Sequence, residues 1–166
     1  MRKVLFIGLF IMLVSCSESK QDFTNVFGTN IETMSTDYSY VDYLSFSGEG
    51  YSMASYSISD ETLSTIINNI ENSDFDLPKA EDKYSKKNWA KTPLAKKYSE
   101  VELLATSYSS DKEKLTNIQK KIKQLLNSNN NYHSFYYREV SENIIDIELF
   151  IIDVEEKKIY YVSHSV

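Results

Sequence analysis

Four aliphatic residues recur at every second position, Ile145, Ile147, Leu149 and Ile151. A period of two places them on one face of a strand. Asp146 and Glu148 fall on the other face, which turns apolar at Phe150 and Ile152. The pattern predicts a central strand with one end buried on both sides. Tyr132 to Val140 alternate before it, Glu155-Glu156-Lys157-Lys158 makes a polar turn after it, and Ile159 to His164 return as a last strand. Together these runs predict a C-terminal three-stranded meander. A second alternating stretch, residues 38–58, predicts an N-terminal hairpin. Leu44 and Phe46 share one face there, Ala54, Tyr56 and Ile58 share another, and Gly48-Glu49-Gly50 joins the arms. The phase slips between Tyr51-Met53 and Ala54-Tyr56, which predicts a bulge or a partly two-sided strand.

Other segments repeat at helical spacing. Leu63, Ile66, Ile67 and Ile70 form one stripe behind Ser59, a cap residue, and Asp60 and Glu61, which suit the positive end of a helix. Ile58 and Leu63 occupy the positions of a hydrophobic staple. Thr92-Pro93 reads as a cap and first-turn pair for a second helix carrying Leu94, Tyr98, Val101, Ala105 and Tyr108, although "EVELLATSY" also fits a strand. Ser110-Asp111-Lys112-Glu113 matches a capping box, and Leu115, Ile118, Ile122, Leu125 and Leu126 follow it until "NSNNN" at 127–131. Phe23, Val26, Phe27 and Ile31 are spaced for a turn of helix that Gly28 interrupts. Residues 74–92, between Pro78 and Pro93 for most of their length, show no period and predict a long ordered loop. The sum is an α+β fold: an antiparallel sheet of about five strands with about three helices packed on one face.

The N-terminus follows a different logic. Arg2 and Lys3 precede an uncharged run from Val4 to Val14, then Ser15 and Cys16. A basic start, a short apolar core and a small residue describe a secretory signal. The run is shorter than the ~20 apolar residues a membrane span needs. The tetrapeptide Leu13-Val14-Ser15-Cys16 resembles the bacterial lipoprotein lipobox. That resemblance implies cleavage between Ser15 and Cys16 and diacylglyceryl attachment to the Cys16 sulfur. Each buried methylene contributes about 0.8 kcal/mol and one chain anchors only marginally, so two or three chains would hold firmly. The expected organisation is a signal peptide at 1–15, a lipidated N-terminus and tether at 16–30 and a single domain at 31–166. Ser17 after the cysteine fits sorting to an outer membrane, since aspartate there retains lipoproteins in some bacteria.

Charge and composition narrow the partners. Loss of Arg2 and Lys3 with the leader leaves 16 of the 18 basic residues against 24 acidic ones, a formal charge of −8. That sign argues against nucleic acid, whose binding is dominated by phosphate contacts, and fits a basic protein partner. Cys16 is the only cysteine, so once lipidated it leaves no thiol for a disulfide or a thiolate metal site. Beyond the leader the glycines are Gly28, Gly48 and Gly50, too few and too scattered for a phosphate loop. No cofactor is implied.

The candidate chemistry is sparse. His133 and His164 lie on predicted strands outside any zinc-binding spacing, where they can pair across the sheet beside Asp146 or Glu148 or serve as plain strand residues. A lysine-rich run, Lys79, Lys83, Lys86, Lys87, Lys91, Lys96 and Lys97, is interleaved with Tyr84 and Trp89. Tyr84, Trp89, Lys87 and Lys91 form the candidate binding set, because rigid aromatics framed by charge are typical interface anchors. The alternative is that Trp89 folds back over the helix layer and the lysines face water. Tyr136-Tyr137 and Tyr160-Tyr161 place one ring on each sheet face, one for the core and one for an open surface. The expected function is that of an envelope lipoprotein acting as a binding module, in the manner of an immunity protein. An enzyme acting on envelope polymers and a structural or assembly lipoprotein are the alternatives.

Overall fold

The computed structural model describes residues 18–29, 34–43, 49–72, 76–80 and 82–166. The lipobox-like Leu13-Val14-Ser15-Cys16, together with Ile31, Leu44, Phe46 and Gly48, lies outside the described residues. Within them the strands are β1 (Ser35–Tyr43), β2 (Gly50–Ser57), β3 (Ser85–Lys91), β4 (Tyr132–Val140), β5 (Asn143–Asp153) and β6 (Lys158–Ser165). The helices are α1 (Glu18–Phe27), α2 (Asp60–Glu71), α3 (Ser99–Thr106) and α4 (Glu113–Asn127). All strands join one antiparallel sheet of order β1-β2-β6-β5-β4-β3. The fold is therefore α+β. The predicted hairpin and meander both form, and β2 joins them by pairing with β6 from Gly50↔Ser165 to Ser57↔Lys158.

Two features add to the sequence expectation. The lysine-rich segment, expected as loop, supplies β3 at the sheet edge. Its register slips between Lys87 and Ala90, so its alternation is broken by a bulge and hidden from a period-two reading. The helices cover both faces of the sheet rather than one. On the first face α3 and α4 bury Val101, Ala105, Leu115, Ile122 and Leu126 against Met53, Phe135, Leu149, Ile151 and Val162. On the second face Val26 and Phe27 of α1 and Leu63 and Ile66 of α2 cover Phe150, Ile152 and Ile159. The reason is β5, whose end at Phe150 to Asp153 is buried on both sides and requires an apolar layer on each. Burying such side chains contributes roughly 1.5–3 kcal/mol apiece. Phe23, Val26 and Phe27, expected within the tether, are thus part of the folded body.

Of the three cap signals one holds and two do not. Ser59 caps α2, its Oγ accepting the Thr62 N–H at 3.1 Å. Ser110 does not cap α4. Its Oγ accepts the Lys112 N–H at 3.2 Å, and the helix starts one residue later. Thr92-Pro93 does not open a helix either, and its peptide bond is cis. Thr92 instead ties the end of β3 to Asn131, donating its N–H to the Asn131 carbonyl at 2.9 Å while its Oγ1 accepts the Asn131 N–H at 3.2 Å. A 3-10 turn, Lys96–Tyr98, then leads into α3. The phase slip expected in β2 is a strand buried on both faces, and the nearby bulge lies in β1 between Thr36 and Tyr38. Gly28 ends α1 at φ 63°, a left-handed value that suits glycine.

Candidate functional site

The second face is only partly filled by α1 and α2. Beside α1 a crossing segment, residues 78–80 and 82–84, borders a cleft of about 520 Å³ together with the helix and strands β4, β5 and β6. Phe150 and Tyr161 line it together with Phe23 from α1, Tyr136 from β4 and Tyr84 from the crossing segment. Alternation on the strands explains the placement. Tyr136 and Tyr161 point to this face, while Tyr137 and Tyr160 pack into the first core. The tyrosine pairs therefore place one ring on each face as their sequence predicts, but the second ring packs against another core rather than on an open surface.

The crossing segment is fixed by identifiable bonds. Leu77 is fully buried in the second core, and its carbonyl accepts from the Lys86 ammonium at 2.6 Å. Tyr136 donates its hydroxyl to the Pro78 carbonyl at 3.0 Å. Asn88 donates its side-chain amide to Asp76. Tyr84 donates to Asp146 at 3.4 Å, and Asp146 also accepts from Arg138, from Ser165 Oγ at 3.1 Å and from the Val166 N–H at 3.1 Å. Burial works against the Asp146 charge, but these donors outweigh it and hold the carboxyl below its usual range. Glu148, two residues on, faces the cleft itself.

The phenols are held protonated. Burial, then the Glu148 charge, raises Tyr136 to about 12. Burial and Glu148 also push Tyr161 upward, and burial with Asp146 and Glu148 does so for Tyr84. Their hydroxyls are therefore donors at any ordinary pH. Lys79 and Lys83 stand at the rim, Lys83 over the Tyr84 ring at 5.3 Å. The cleft offers edge-packed and tilted ring surface, phenol hydroxyls, one carboxylate and two ammonium groups. That is the make-up of a recognition pocket, mostly apolar with a few placed polar groups.

The residues singled out from sequence separate here. Tyr84 enters the cleft. Trp89 folds back onto α1: its Nε1 donates to the Val26 carbonyl at 3.2 Å and its ring meets Phe27 at 5.4 Å. Lys91 pairs with Glu71 at 2.8 Å and sits over Tyr132. Lys87 is on the opposite face of β3, opposite Phe135. The bulge in β3 causes this division, since it turns Trp89 and Lys91 to one face and Lys87 with Ala90 to the other. Phe23, Glu148 and Phe150 join the cleft unforeseen, because only the crossing segment brings them together.

The histidines do not meet. His133 is opposite Ile151 and His164 opposite Ile147, both on the first face, four pairs apart along β5. Asp146 and Glu148 lie on the second face, so the sheet stands between them and either imidazole. His133 is buried beside Phe135, while His164 Nδ1 is bonded to the Leu104 carbonyl at 2.8 Å. Among the described residues no group of three or more His, Cys, Asp or Glu is placed to hold a metal ion. Nor, among them, is any helix long and apolar enough to cross a membrane. No protein family, curated protein or solved structure matches the chain.

Proposed function

We propose that this chain is a membrane-anchored envelope lipoprotein, acylated at Cys16, whose folded body is a binding module of the immunity type. The observation that carries the binding role is the ring-lined cleft beside α1, a concave site able to receive a side chain of a protein partner. Its ring faces and the Glu148 carboxylate favour a basic group at the tip of that side chain. The acidic excess of the chain as a whole supports a basic partner, which it would steer toward the surface. Tyrosine suits such a role because it presents much area at little entropic cost.

Intact-mass analysis of protein from its native cells tests the anchor. The expected mass is that of Cys16–Val166 plus acyl chains, and a retained leader or a free thiol refutes it. Cross-linking of the anchored protein in envelopes tests the binding role. One stoichiometric protein partner is expected, and its yield should fall at least tenfold in Tyr136→Ala while circular dichroism is unchanged. The enzyme reading has one observation in its favour, the carboxylates of Asp146 and Glu148 two residues apart on β5. Turnover of envelope polysaccharide that is abolished by Glu148→Gln would move the reading there.

A further inference from the structure

The two edges of the sheet are unlike. β3 is short, bulged and carries Lys86, Lys87 and Lys91, which are devices that keep other strands away. β1 has no lysine and no proline, and among the described residues its strand neighbour is β2 alone. Beyond the bulge at Thr36/Tyr38 it runs regularly from Tyr38 to Tyr43. Val41 and Tyr43 are 59% and 56% exposed, high for residues of their size. A regular strand at the sheet edge with exposed apolar side chains is a template for another strand.

We propose that this edge pairs with the β1 edge of a second copy, antiparallel about Tyr40, to make one continuous sheet across a two-fold axis. The sequence of the edge selects the occupant and the register. With Tyr40 opposite Tyr40, Ser39 meets Val41 and Tyr38 meets Asp42, twice each by symmetry. Aspartate then faces a phenol, the pairing Asp42 already makes with Tyr108 and with Tyr40 inside one copy. Sliding by one residue in one direction brings Asp37, the bulge residue, toward Asp42 in both halves, and like charges opposite are destabilising; sliding the other way sets Asp42 against Ser39 and loses the phenol pairing. A two-fold ribbon through Tyr40 also stacks the four rings of Tyr38 and Tyr40 on one face, where Lys114 and Lys112 already cover them at 5.0 and 4.5 Å. Anchoring both copies in one membrane would raise their effective concentration.

Sedimentation of the full chain in detergent micelles, with its native N-terminus, measures the assembly. A dimer is expected, and Val41→Lys should weaken it about tenfold by adding a lysine to each of the two symmetric pairs. A wild-type monomer at every concentration overturns the proposal, as does a dimer that Val41→Lys leaves intact. Oxidation fixes the register. Chains carrying Ser39→Cys mixed with chains carrying Val41→Cys should cross-link as a heterodimer, because directly opposed residues are about 4.5–5.5 Å apart. Cross-linking of Ser39→Cys chains with themselves in preference to the mixture refutes the Tyr40 register. Circular dichroism of each variant confirms that the monomer fold persists.

Discussion

His133 is a base held in an apolar place. It is 3% exposed, stacked on Phe135, and its Nδ1 has no hydrogen-bond partner among the described residues. Burial, with the Lys87 ammonium adding to it, lowers its pKa from 6.5 to about 4. Between those values the unfolded chain binds the proton and the folded one does not, so stability rises with pH. The contribution is complete above pH 6.5 and is lost as pH falls toward 4, a change of roughly 3 kcal/mol. Urea unfolding at pH 7 and pH 4.5 should show this loss, and His133→Phe should flatten it. Asp153 presents the converse, a carboxylate with its side chain 1% exposed, held by Lys121 at 2.9 Å and by the N–H groups of Glu155 and Glu156. Lys121→Met strips the cation from a buried charge and should cost about 3–5 kcal/mol in the same assay. Partial burial opposes the Lys121 charge, but Asp153 and Glu156 raise its pKa above 10.5. Its stabilisation is therefore present below pH 10.5 and fades as pH climbs through the higher folded value.

At the scale of elements, α1 is held by aromatic contacts that come from distant strands. Phe23 meets Tyr56, Phe150 and Tyr161, and Phe27 meets Trp89 and Phe150. Trp89→Ala should release the helix, lowering stability by about 3 kcal/mol and speeding hydrogen exchange of the α1 amides. Trp89→Phe keeps a ring and loses the bond to Val26, a change nearer 1 kcal/mol. The turn between β4 and β5 is strained, with Ser141 at φ 51° and Glu142 at φ 69°. Asparagine and glycine suit those positions, so Ser141→Asn with Glu142→Gly should raise the unfolding free energy by about 1 kcal/mol, read from urea titration. The regular elements were legible because each carries its own period. Ile147, Leu149 and Ile151 announce β5, and the stripe behind Ser59 announces α2. β3 was not legible, because its bulge breaks the alternation and its lysines read as solvent-facing loop. Of the cleft, Tyr84 and the one-ring-per-face division of the tyrosine pairs were legible. Phe23 and Glu148 were not, since nothing local relates α1 to the strand between β4 and β6.

Across the whole molecule one sheet serves two cores. β5 gives Leu149 and Ile151 to one and Phe150 and Ile152 to the other, so neither layer can loosen without disturbing a strand of its neighbour. Trp89, the only tryptophan, reports on the second core, while α4, the longest helix, belongs to the first. Emission from Trp89 and far-ultraviolet circular dichroism should therefore give one shared urea midpoint. Two separate midpoints would show that the layers melt independently.

Glu18, where α1 begins, is two residues past Cys16. Under the proposed anchoring only one residue, Ser17, separates the lipidated cysteine from the helix. Ten helical residues rise about 15 Å, so under that anchoring the ring-lined cleft beside α1 would lie near the bilayer rather than far out from it. A flexible glycine-serine spacer placed before Glu18 would then set the cleft farther from the lipid, with no atom of the cleft altered.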